Sequence, residues 1–154
     1  MRAVSITLCL LVAGSAVHAI AADSGVRAEY IGGTRAEIPA GETGNLQATD
    51  ERYLVFYSKH GSLRVPYERV NVLEYGQKVD RRYVIAILIS PALMLAKKRQ
   101  HFLTVGYVDD QGREQALIFK VDKSGIRVAL VTLEARTGRK IQYQDDEARK
   151  AGRG

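Results

Sequence analysis

Gly44-Asn45-Leu46-Gln47-Ala48-Thr49-Asp50 leads into Tyr53-Leu54-Val55-Phe56-Tyr57, then Ser58-Lys59-His60-Gly61, then Leu63-Arg64-Val65-Pro66-Tyr67-Glu68-Arg69-Val70. Aromatic and β-branched residues favour a pleated surface, and polar or glycine turns interrupt them every few residues. Leu63 and Val65 alternate with Arg64, the period of a half-buried strand. Pro66 cannot donate to a ladder, so it marks an edge or a break. The stretch reads as a meander of short strands and sets the class as mainly β.

The same signals extend in both directions. Arg27–Ile31 reads as a first strand stopped by Gly32-Gly33, and residues 34–43 as loop around Pro39 and Gly41. Val70, Val72 and Leu73 lead to a turn at Gly76. Residues 101–108 are apolar or aromatic on both faces, which predicts a central strand. Asp109-Asp110-Gln111-Gly112 is a hairpin loop, and residues 114–121 return. A helix then follows, with Ser124 as its expected N-cap. Ile126, Ala129, Leu130, Leu133 and Thr137 form its stripe, and Gly138 its end. Residues 140–143 suit a short strand, and the polar run 144–154 reads as a disordered tail.

Export is the expected destination. Arg2, the apolar run Val4–Val12 and the A-x-A form of Ala19-Ile20-Ala21 compose a signal peptide over residues 1–21, with cleavage after Ala21 or Ala22. Val17-His18-Ala19 offers a second site. Residues 22–27 form a leader, and 28–143 one domain. The only cysteine, Cys9, falls in the signal, so the mature chain carries no thiol for disulfide, metal or nucleophile. The expected location is periplasmic or secreted, with membrane association an open option. The net charge of +6 favours anionic surfaces weakly. Outside the cell these are lipid headgroups and envelope polymers, not nucleic acid.

Chemistry-bearing patterns are sparse. His60 and His101 have no helix-spaced second histidine, and no Gly-x-Ser-x-Gly elbow or phosphate loop occurs. His60 reads as a solvated turn residue. The pairs Asp109-Asp110 and Asp145-Asp146 lie in a turn and a tail and read as solvating. No enzyme, metal site or cofactor is expected. Tyr53, Tyr57, Tyr67, Tyr75, Tyr83 and Tyr107 cluster on or near strands. Packing with hydroxyls at a rim is preferred over stacking on sugars or bases.

Strands in series closed by one amphipathic C-terminal helix resemble the pleckstrin-homology-like fold. Gly44, Leu46, Thr49 and Asp50, the Leu54-Val55-Phe56 strand and the Val65–Val70 strand are similar to its GRAM branch. Leu133-Glu134-Ala135-Arg136-Thr137-Gly138 resembles the ending of uncharacterised exported bacterial proteins of this layout. The resemblance spans residues 28–143. It implies a small antiparallel barrel or two-sheet sandwich capped by the helix, acting as a non-enzymatic module for a protein or peptide partner. Relatives that bind phosphoinositides do so through basic residues of the first loop. Here that loop carries Arg35 together with Glu37 and Glu42, so that ligand does not carry over.

One segment departs from the resemblance. Residues 83–96 carry no charge and stand between Arg81-Arg82 and Lys97-Lys98-Arg99. As a helix they would reach about 21 Å, short of a hydrocarbon core of about 30 Å, and Pro91 would kink them. Two readings fit. The preferred one buries the run against the domain, with the basic residues as solvated ends. The other dips it into a leaflet, so that Arg81, Arg82, Lys97, Lys98 and Arg99 contact anionic lipid or a partner.

Overall fold

Two antiparallel meanders share a sheet in the computed structural model, which describes residues 25–79 and 100–153. The first comprises β1 (Val26–Gly33), β2 (Glu42–Gln47), β3 (Tyr53–Ser58) and β4 (Gly61–Pro66). A 3-10 turn, Tyr67–Arg69, leads to β5 (Val70–Gly76), β6 (Phe102–Val108) and β7 (Glu114–Val121). Then come α1 (Lys123–Thr137), β8 (Gln142–Tyr143) and α2 (Asp146–Arg153). The strand order is β4-β3-β2-β1-β7-β6-β5-β8, joined at its centre by the β1–β7 ladder. Among the described residues only the two-residue β5–β8 pairing is parallel.

The mainly β class with a C-terminal helix holds. The closed barrel does not form. Among the described residues β4 pairs only with β3, so the sheet keeps its edges. Pro66 is the cause we identify. It has no N–H to donate, its φ of −61° precedes the 3-10 turn, and the chain swings away instead of reversing onto β4. The expected two-sheet sandwich is likewise one hydrogen-bonded sheet.

That sheet nonetheless encloses one core. Eight strands about 4.8 Å apart would be about 34 Å across if flat, whereas a helix is about 10 Å wide. Yet a single apolar cluster takes Phe56 from β3, Leu63 and Val65 from β4, Leu73 and Tyr75 from β5, Phe119 from β7, and Ile126 and Leu133 from α1. The two halves therefore bend towards each other beneath the helix. Phe119 stacks obliquely on Phe56 and Tyr30, with ring centroids 5.1 and 5.7 Å away. Ile31, Phe102, Ala116 and Ile118 form a second, smaller cluster. β6 is buried from Phe102 to Tyr107, as its two apolar faces predict for a central strand.

Two local expectations change. The N-cap of α1 is Asp122, whose N–H extends the ladder to the Arg27 carbonyl (3.0 Å) and keeps it extended; Ser124 lies inside the helix and is exposed. Within the run read as a disordered tail, Asp146–Arg153 form α2. α2 docks Ala148 fully buried, and Asp145 Oδ1 accepts from the Ala148 N–H at 2.5 Å. His60 is exposed in its turn, as read, and its Nδ1 also lies 2.9 Å from the Glu42 carboxylate. The signal peptide, the leader up to residue 24, and the 80–99 segment with Arg81, Arg82, Lys97, Lys98 and Arg99 lie outside the described residues.

Candidate functional site

The seam that Pro66 leaves open is where the polar side chains gather. Tyr67 follows it, and the Tyr67 N–H donates to the Arg52 carbonyl (3.0 Å), tying the 3-10 turn to the β2–β3 turn. That turn is itself fixed. Asp50 Oδ1 accepts from the Arg52 and Tyr53 N–H groups at 2.7 and 2.9 Å. These backbone donors, the Arg52 one first, hold the Asp50 carboxyl below its ordinary range. At the far end of α1, Arg136 occupies the last turn, where a cation complements the helix dipole, and its guanidinium reaches the Glu51 carbonyl at 3.5 Å.

The opposite wall comes from the β6–β7 hairpin. Asp109 accepts from the Gln111 and Arg113 N–H groups, from Arg113 Nε and from Gln115 Nε2, all at 2.8–2.9 Å. With the Arg113 backbone donor foremost, its carboxyl is held down at about 2. Gly112 supplies the positive φ of 74° that closes this loop. Asp110 pairs with Arg69 of the 3-10 turn and bridges the seam. Arg35, from the β1–β2 loop, donates to Glu37 (2.6 Å) and to the Tyr107 hydroxyl (3.4 Å), and the Tyr30 hydroxyl holds the Arg35 carbonyl at 2.8 Å.

Between these walls lies an open cleft of about 670 Å³. Arg35, Arg52, Arg64, Arg69 and Arg136 line it, against Glu51, Glu68, Asp109 and Asp110. Its formal charge is therefore slightly positive. Arg35 and Arg69 are engaged by Glu37 and Asp110. Among the described residues, Arg52, Arg64 and Arg136 lie in no ion pair with a carboxylate. Tyr53, Tyr67 and Tyr107 supply aromatic surface. Tyr67 is 4% exposed, yet its hydroxyl finds no hydrogen-bond partner among the described residues. Burial is the first cause raising that hydroxyl to about 12. A second depression of about 510 Å³ adjoins the cleft and shares Arg35, Tyr107 and Asp109 with it.

The structure sorts the conspicuous tyrosines. Tyr67, Tyr75 and Tyr107 are buried, Tyr53 is half-buried, and Tyr57 is 43% exposed; Tyr83 lies outside the described residues. Tyr75 stacks on His101 and its hydroxyl meets His101 Nδ1 at 2.9 Å, so His101 packs against the core through Tyr75. Arg52, Arg64, Arg69 and Arg136 carry no motif in the sequence. Only the outward position of Arg64 in an alternating strand marks it in advance. Among the described residues, no group of three or more His, Cys, Asp or Glu is placed to hold a metal ion, and no helix is long and apolar enough to cross a membrane.

No protein-family model matches the chain, and no curated protein is significantly similar to it.

Proposed function

We propose that the chain is a non-enzymatic binding module of the bacterial envelope, built on a pleckstrin-homology-like, GRAM-like domain and engaging a protein or peptide partner. The fold reading is supported by the order β4-β3-β2-β1-β7-β6-β5 and by the helix that follows β7 onto the shared core. The observation that carries the function is the cleft at the seam. Arginines without carboxylate partners and a buried tyrosine hydroxyl converge there from the β2–β3 turn, the end of β4 with the 3-10 turn after it, and the end of α1. The buried hydroxyl is costly to hold unsatisfied, and the exposed arginines are well suited to a polar partner surface.

A photocrosslinking residue at Tyr53, on the cleft, tests this against one at Ser124, on the exposed first turn of α1. In envelope preparations the Tyr53 position should yield a discrete adduct and Ser124 none. Equal labelling at both, or none at Tyr53, sinks the reading.

A second reading is a peripheral protein docking on anionic lipid through Arg81, Arg82, Lys97, Lys98 and Arg99. The uncharged run 83–96 between those basic residues favours it. Liposome flotation decides it. Docking must favour anionic over neutral vesicles and weaken as salt rises.

A further inference from the structure

We infer that the seam cleft takes an extended acidic peptide, with its carboxylates on Arg52, Arg64 and Arg136 and its backbone beside the open edge of β4. The inference rests on the cleft being the partner site.

Three features select this ligand. First, among the described residues every cation lining the cleft is arginine. The planar guanidinium fork matches a carboxylate in a way that an ammonium does not. Second, four carboxylates share the lining, and Asp50 stands close enough to act on Arg52, Arg64 and the Tyr67 hydroxyl. A compact dianion would meet that repulsion at one point. Single charges spaced along a peptide can settle on the arginines and leave Glu51 and Glu68 facing water. Third, β4 is the edge of the sheet, and among the described residues only β3 pairs with it. Its outer N–H and C=O groups are a template for an added strand. Arg64 and Pro66, at the end of that same strand, line the cleft. A strand laid there would carry its side chains past Arg64 and Arg52 towards Arg136.

Tyr67 gives the site its floor. Its hydroxyl is buried without a partner among the described residues and is influenced by Arg136. A carboxylate held by Arg136 would accept from that hydroxyl as well and satisfy both groups at once.

Fluorescence anisotropy on the full chain tests the assignment. The probes are a labelled octapeptide alternating Glu with Ser, its Glu→Gln counterpart and a phosphoserine counterpart. The acidic peptide should bind saturably, and the Gln form about tenfold more weakly or worse. Arg64→Gln and Arg136→Gln should each weaken binding about fivefold and flatten its salt dependence. Tyr67→Phe should weaken it about threefold while leaving the salt dependence intact. Urea midpoints confirm that each variant is folded.

Equal binding of the acidic and Gln peptides overturns the inference, as does indifference to all three substitutions. Tighter binding of the phosphopeptide, or displacement by millimolar inorganic phosphate, reassigns the cleft to phosphate. Displacement by anionic vesicles reassigns it to a membrane surface. If Tyr53 crosslinks a partner but no acidic peptide binds, the inference falls and the binding-module reading stands. If Tyr53 crosslinks nothing and no peptide binds, both fall.

Discussion

Replacing Tyr67 by phenylalanine should make the free protein more stable while making the cleft a poorer binder. The ring of Tyr67 is packed in the main core and 4% exposed, and phenylalanine keeps that packing. What it removes is one oxygen that has lost its water and gained no partner among the described residues. An unsatisfied buried hydroxyl costs about 1–3 kcal/mol, so its removal should return about 1 kcal/mol or more. For a chain of this size that is a rise in Tm of about 3–6 °C. Urea denaturation at neutral pH, with an unchanged m-value and a higher midpoint, is the direct measurement. A Tyr67→Phe midpoint equal to or below that of the parent would refute the reasoning. It would mean that the hydroxyl is already satisfied in the free protein and is not waiting for a ligand. The opposed signs matter because most substitutions that weaken binding by damaging the fold lower both quantities together.

Leu133→Ala removes a fully buried side chain from the helix stripe and should cost about 3 kcal/mol in urea denaturation. A loss under about 1 kcal/mol would mean that α1 is not packed on the sheet. Gly44→Ala should cost about 3 kcal/mol, because the added methyl would overlap the Tyr57 carbonyl and the Phe56 ring. At Gly41 the added methyl meets nothing, and only the φ of +87° resists it, so Gly41→Ala should cost about 1–2 kcal/mol by the same assay. Burial raises the hydroxyls of Tyr30, Tyr67 and Tyr75 from 10.0 to about 12. Because the folded state resists their ionisation, folding stability is independent of these groups below pH 10 and falls as pH rises towards 12. Urea midpoints should fall across that window, and Tyr75→Phe should make the fall shallower; a flat profile in the parent protein would contradict the burial.

How much was readable in advance varied with the range of the interaction. The alternation of Leu63, Arg64 and Val65, the hairpin at Asp109–Gly112 and the stripe from Ile126 to Leu133 all report short-range periodicity. Each appears where the pattern placed it. Asp122 displaced Ser124 as the cap because a backbone bond to Arg27, far away in the chain, kept it extended. α2 is hard to read from the sequence because its buried Ala148 is small and flanked by charge, and its burial depends on neighbours that the local sequence does not reveal. The cleft was harder still. Arg35, Arg52, Arg64 and Arg136 are spread over about a hundred residues and belong to a loop, a turn, a strand and a helix end.

The amino-acid sequence alone determined that the chain makes short strands followed by a helix. Side-chain period and the φ limits of glycine and proline act within a few residues and need no partner. Beyond the hairpin neighbours, which strands lie side by side was decided only by the tertiary structure. So were the seam left open at Pro66 and the meeting of the arginines with a buried tyrosine hydroxyl. A period of two says which face of a strand is apolar, but burying that face is a contest among distant segments, settled by the packing of the whole chain.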